Sequence, residues 1–203
     1  MPESCIAQNP RKQLNYIVLA AGLSQRMGCC KLALPWCSDT ILGHTLAQAE
    51  AGGCSPLTVI SGAYQTQVEQ IAQTKGASCL YNPDYATGQA SSLRCALVSL
   101  PVDAGMMFIL ADQPLVPPEV YATLRQAYLA SDAWLIAPQD DSGKRGNPVI
   151  IAPNLRPEIA SLQGDEGARS LFALYPEHVL LVPCSGSDYW LDIDTPEDYA
   201  RLL

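Results

Sequence analysis

Between residues 15 and 137 the chain alternates short apolar runs with segments of helical spacing, and this alternation constrains its fold more than any other feature. The runs at 15–20 (NYIVLA), 57–61 (LTVIS), 77–81, 106–110 (MMFIL) and 133–137 have the length and β-branched content of buried strands. Between them, 40–50, 64–73, 91–100 and 117–130 repeat apolar residues every three to four positions. Gly52 and Gly53 stop the first of these, and Pro117 opens the last. A strand that is apolar throughout must be covered on both sides. The pattern therefore predicts an α/β fold with a mostly parallel sheet and helices on both faces.

The period breaks after residue 137. Runs at 148–152 and 179–182 read as strands around a helical stretch at 154–174, and 189–193 reads as a further short strand. Thr195 is placed to cap a last helix to Leu203. One antiparallel or edge strand is expected in this part. No linker or repeat divides the chain, so a single domain is expected over 15–203 behind a mobile tail at 1–14.

Of the 203 residues 48% are hydrophobic and 16% charged, enough to bury a core, and the net charge is −8. So acidic a chain lacks the clustered Lys and Arg that nucleic-acid backbones require. No run approaches the ~20 apolar residues of a membrane span, and residues 1–13 have no apolar core of a signal peptide. A cytoplasmic location is expected, with the eight cysteines as free thiols.

The few cations are placed unevenly. The loop after the first strand runs Leu19-Ala20-Ala21-Gly22-Leu23-Ser24-Gln25-Arg26-Met27-Gly28-Cys29-Cys30-Lys31. Its small residues let a ligand approach the backbone, and Arg26 and Lys31 suit a triphosphate. The glycine spacing matches neither a P-loop nor a dinucleotide fingerprint, and a tight turn with two solvated cations is the alternative. Asp112 follows the apolar run MMFIL, where a carboxylate needs solvent or a cation. Asp192 and Asp194, two apart on the expected strand, would share a face. Gly88, Ser91 and Ser92 open a helix whose amides and hydroxyls suit ribose or base contacts, or serve as a simple cap.

The motif Ala-Ala-Gly-x-Ser-x-Arg-Met-Gly-x-x-Lys at 20–31 resembles the signature of MobA-like nucleotidyltransferases, in particular molybdenum cofactor cytidylyltransferases. The similarity continues through Gly88-Gln89-Ala90-Ser91-Ser92-Leu93, Leu110-Ala111-Asp112-Gln113-Pro114, Arg145-Gly146-Asn147-Pro148, Gly164-Asp165-Glu166-Gly167-Ala168-Arg169 and Asp192-Ile193-Asp194-Thr195-Pro196. It implies a Rossmann-like nucleotidyltransferase fold and transfer of CMP from CTP to the phosphate of molybdopterin. Guanylyl transfer to the same cofactor, transfer to another phosphorylated acceptor, and a non-catalytic nucleotide- or cofactor-binding role are the alternatives. By the resemblance Arg26 holds the β- and γ-phosphates, Lys31 sits near the α-phosphate, and Asp112 with Asp192 and Asp194 holds Mg2+. The nucleotide would lie against Leu19, Ala20, Ala21, Gly22, Ser24, Gly88, Ser91 and Ser92. Gly146, Asn147, Gly164, Asp165 and Arg169 would face the phosphorylated pterin. A molybdoenzyme or cofactor-delivery protein is the implied partner. The methyl of Ala21, where guanylyltransferases tend to carry glycine, is expected to fill the room a purine needs.

Overall fold

The computed structural model describes residues 12–186 and 188–203. In chain order the elements are β1 (Leu14–Ala20), β2 (Pro35–Trp36), β3 (Asp39–Thr40), α1 (Ile41–Ala51), β4 (Leu57–Ser61), α2 (Gln65–Thr74) and β5 (Ser78–Tyr81). They continue with α3 (Gln89–Ser99), β6 (Gly105–Leu110), α4 (Pro118–Ala130), β7 (Leu135–Gln139), β8 (Val149–Ile151), α5 (Arg156–Ser161), α6 (Arg169–Leu174), β9 (Val179–Pro183) and α7 (Pro196–Leu202). Of the tail expected at 1–14, residues 1–11 lie outside the described residues and Leu14 opens β1.

Seven strands form one sheet in the order β5-β4-β1-β6-β8-β7-β9. All neighbours pair in parallel except β8, which runs antiparallel to both β6 and β7 and so lies inside the sheet. Alternation along each strand divides the core in two. Tyr16, Val18, Met107 and Ile109 face a layer built by α1, α2 and α4. Ile17, Met106, Phe108 and Val149 face α3, α5 and α6. The α/β architecture, a mostly parallel sheet with one antiparallel strand between two helical layers, is therefore as expected.

The second half departs from the expectation in two places. The stretch at 154–174 is two short helices, because α5 stops where Leu162 turns extended and Gly164 adopts φ +55°. Residues 189–193 form no strand. A 3-10 turn at Asp188–Trp190 leads into extended chain, tied to the sheet end where Ile193 N donates to Asp112 O at 3.1 Å. Local apolar content suggested pairing, but no strand edge stands beside this segment. The β2–β3 hairpin was not expected; it turns at Cys37, whose φ is +51°. The last helix is as expected, with Thr195 and Asp198 forming a reciprocal capping box. No helix of the described residues is long and apolar enough to cross a membrane.

The topology fixes where a ligand can sit. From β1 the chain steps outward to β4 and β5, then returns to β6 on the other side of β1. The loops after β1 and β6 thus diverge at the carboxyl end of the sheet and open a crevice between them.

Candidate active site

That crevice is a cleft of about 810 Å3, lined by the β1 loop, the start of α3, Asp112, Asp192 and Asp194. Two left-handed residues shape the loop: Ser24 at φ +47° and Gly28 at φ +70°. Ser24 O accepts from Met27 N and Gly28 N, closing a turn that presents Arg26 outward. Lys31 opens a 3-10 turn whose next residue, Leu32, is buried in the core. Lys31 is itself only 8% exposed. A lysine so enclosed needs anionic partners, and it has two. Its Nζ donates to Asp112 Oδ2 at 2.5 Å and to Asp194 Oδ1 at 2.8 Å. The second oxygen of Asp194 accepts from Arg26 Nη2 at 2.7 Å.

These contacts set the charges. Burial works against the Lys31 ammonium, but Asp112 and Asp194 outweigh it and its pKa is raised. Burial likewise opposes the Asp194 carboxylate, yet Lys31 and Arg26 prevail and its pKa is lowered. Asp192 is the exception. The cleft walls strip water from it, Asp112 adds like charge, and its pKa is raised although Gln113 partly offsets this. Its one side-chain partner among the described residues is neutral: Gln113 Nε2 donates to Asp192 Oδ1 at 2.8 Å.

Among the described residues no three His, Cys, Asp or Glu side chains gather closely enough to enclose a metal. Magnesium does not require that; it keeps several waters and binds through one or two carboxylates and substrate phosphates. Asp112 and Asp192 offer that donor set on one cleft wall, and the like-charge strain on Asp192 is what a divalent cation relieves. Asp194 reaches the same cleft with both oxygens engaged by Arg26 and Lys31.

Leu19, Ala20, Ala21, Gly22, Ser24, Gly88 and Ser92 all line the cleft. Ala21 is 6% exposed and packs its methyl against Gly62, where an added Cβ would meet Ala21 O at 2.6 Å. Gly88 has φ +107° and leaves no room for a side chain beside the backbone of Gly164. Ser91 is turned inward: its hydroxyl donates to Gly88 O and accepts from Asn82 Nδ2, both at 2.8 Å. Asn82 is 1% exposed and also donates to Ser92 Oγ at 3.1 Å. The sequence gives Asn82 no mark of this role. A buried amide bridging two serines two strand-lengths of chain away carries no local signature.

A second cleft of about 540 Å3 adjoins the first and shares Leu19, Gln89, Leu110, Asp165 and Asp192 with it. Gly146, Asn147, Asp165 and Arg169 line it. Gly164 does not; it braces the start of α3, accepting from Ala90 N at 3.0 Å. Gly146 lies flat on Trp190, whose ring atoms stand 2.3 Å from where a Cβ would be. Trp190 thereby joins the wall of the second cleft to the segment carrying Asp192. Arg145 also lines this cleft, with its guanidinium 4.0 Å from the centre of the Phe172 ring. The sequence held it within a motif but assigned it no role.

Comparison with known proteins agrees with this geometry. The model of the MobA-like NTP transferase domain matches residues 16–179. The nicotine blue oxidoreductase of Paenarthrobacter nicotinovorans is 29% identical, over 92% of this chain and 95% of that protein. The molybdenum cofactor cytidylyltransferase of Escherichia coli (strain K12) is 27% identical, over 92% and 93%. The crystal structure of Rv0371c from Mycobacterium tuberculosis H37Rv superposes with a TM-score of 0.82 at 31% identity, covering 95% of this chain and 98% of that one. A structure of the same protein in complex with manganese gives 0.79. A crevice at the sheet switch point, two cations and a carboxylate beside it, and a family match across most of the chain lead to one conclusion: this protein belongs to the MobA-like NTP transferase family and carries the site of a nucleotidyltransferase.

Proposed function

We propose that residues 15–203 form a cytoplasmic, magnesium-dependent cytidylyltransferase that moves CMP from CTP to the phosphate of molybdopterin or its molybdenum-loaded form. One observation carries the reading: two clefts of substrate size adjoin, and Asp192 stands in the wall they share, beside the Lys31–Asp112 pair. An acceptor phosphate oxygen attacks the α-phosphorus of the NTP from the second cleft. The new P–O bond forms as the bond to the bridging oxygen breaks, and pyrophosphate leaves. A phosphate nucleophile is already ionised, so no general base is required, and the site offers no histidine.

Catalysis then rests on positioning and charge. The triphosphate replaces Asp194 as the partner of Arg26 and Lys31. Arg26, the more exposed, takes the β- and γ-oxygens, while buried Lys31 faces the α-phosphate where charge develops. Bound by Asp112 and Asp192, with Asp194 released toward it, magnesium would supply further neutralisation of the phosphate oxygens. A cytidylyltransferase is favoured over a guanylyltransferase by similarity to the Escherichia coli enzyme. Ala21 contributes little to that choice, since its methyl faces Gly62 rather than open cleft.

Pyrophosphate release measured across the four NTPs, with and without molybdopterin, tests the reading. Release with CTP that depends on molybdopterin is expected. Better specificity constants for GTP would overturn the base assignment. No release with any NTP would favour a different chemistry, such as that of the oxidoreductase relative.

A further inference from the structure

Asn82 follows β5 directly, is 1% exposed, and has every polar atom of its side chain engaged. Asp84 N donates to its Oδ1 at 3.0 Å, while its Nδ2 donates to Ser91 Oγ at 2.8 Å and to Ser92 Oγ at 3.1 Å. Its own N donates to Ser61 O at 2.9 Å, so the residue is pinned to the end of β4 as well. The amide can sit only one way round. Turned over, it would set its NH2 group against the Asp84 N–H, two donors face to face where water scarcely reaches.

The backbone at Asp84 thus decides what the two serines can do. Each accepts a hydrogen from Asn82 and keeps one to donate. Ser91 donates its own to Gly88 O at 2.8 Å. Ser92 has no acceptor among the described residues, is 6% exposed, and lines the first cleft. A hydroxyl hydrogen so enclosed is costly to leave unmet. The cations of that cleft are Arg26 and Lys31, which suit the triphosphate; the uncharged side chains of 85–89 and Ser92 are left for the nucleoside.

We propose that Asn82, although it does not line the cleft, is a positioning residue for the nucleotide: it turns the Ser92 hydroxyl so that its hydrogen meets an acceptor on the nucleoside. This rests on the reading of the first cleft as the NTP's. Inorganic triphosphate lacks the nucleoside and has no use for that hydrogen. The role requires an amide. In Asn82→Asp one carboxylate oxygen still accepts from Asp84 N, but the other accepts where the amide donated, and both serine hydroxyls turn to it. The Ser92 hydrogen is then withdrawn from the cleft without a change in side-chain volume.

Binding of CTP and of inorganic triphosphate to the whole protein, each with magnesium, is measurable by titration calorimetry without turnover. Asn82→Asp and Ser92→Ala should each weaken CTP about tenfold and leave inorganic triphosphate within about twofold. The two losses share one hydrogen bond, so the double variant should bind CTP no worse than Ser92→Ala alone. In pyrophosphate release the loss should fall on KM for CTP rather than on kcat. Asn82→Ala frees Ser92 instead of inverting it and should give a smaller loss of the same kind; it serves where the aspartate variant does not fold. Unchanged CTP binding in Ser92→Ala, or in both Asn82 variants, overturns the proposal. So does an additive loss in the double variant, or an equal loss for inorganic triphosphate, which would mark Asn82 as structural or its replacement as a repelling charge. The expected binding pattern together with no pyrophosphate release from any NTP would sustain the positioning role and sink the transferase reading instead.

Discussion

Lys31 and Asp112 stand 81 positions apart in the chain and meet at 2.5 Å across the mouth of the β1–β6 crevice. One comes from the loop after the first strand and the other from the end of the fourth strand in sequence order of the parallel set. Because β1 and β6 are parallel neighbours in the sheet, the loops that follow them start side by side at the rim of that crevice. The pair holds an enclosed cation against a carboxylate at the end of two neighbouring strands.

Asp112→Asn should abolish turnover and leave the fold intact. The amide matches the carboxylate in volume but cannot hold a divalent cation with the same strength. Losing that contact in the transition state should cost at least ~3 kcal/mol, or about a hundredfold in rate. Steady-state kinetics in magnesium, alongside a circular dichroism spectrum, checks this; near-normal activity would remove Asp112 from the metal.

Lys31→Ala should lower kcat more than it raises KM for the NTP, whereas Arg26→Ala should affect both. A charge at the α-phosphate acts mainly where charge develops, and one on the β- and γ-oxygens also holds the ground state. Should Lys31→Ala change KM alone, its place at the α-phosphate is misassigned.

Thermal melts in a chelator should separate Asp194 from Asp192 by sign. The folded pKa of Asp194 lies below 3.8, so its contribution is present above pH 3.8 and disappears as pH falls through the folded pKa. Asp194→Asn should therefore lower Tm at pH 7 and lose that effect in strong acid. The folded pKa of Asp192 is raised above 3.8, so its ionisation opposes folding progressively as pH rises above 3.8 and in full above the raised value. Asp192→Asn should leave Tm unchanged or higher at pH 7, though it impairs activity. Matching Tm losses in the two variants would refute the charge pattern drawn for the cleft.

Gly146→Ala should destabilise the protein and impair acceptor use more than NTP use. Its Cβ would land 2.3 Å from the Trp190 ring, which is 7% exposed and has little room to retreat. Overpacking of this kind costs about 1–3 kcal/mol, and any shift of Trp190 is passed to Asp192 two residues on. Denaturant melts and separate KM values for the two substrates check it. A variant with wild-type stability would mean that the two loops move independently.

All seven described cysteines are free, and Cys54 is buried with its pKa pushed up to about 12. Titration of the denatured, unreduced protein should approach eight thiols, and a markedly lower count would reveal a disulfide or a bound metal.

Much of this was legible in the chain alone. Each parallel strand is buried on both faces, so its apolar run stands out against polar loops, and β4 falls on its expected bounds to the residue. Arg26, Lys31 and Asp112 could be singled out because cations are few and a carboxylate after a buried strand needs a reason. What the sequence could not determine depends on contacts between distant segments. The extended chain at 191–194 is locally strand-like, but a strand exists only where a neighbour pairs with it, and here one bond to Asp112 O is all the sheet provides. The sequence leaves the hydroxyl of Ser91 open to ribose or base contacts or to a helix cap; only the fold brings Asn82 close enough to claim it. Arg145 is one of several arginines until β8 runs antiparallel and sets it over Phe172 beside Arg169. Periodicity records what a residue needs from its own strand or helix; which partner meets that need is decided when the chain folds.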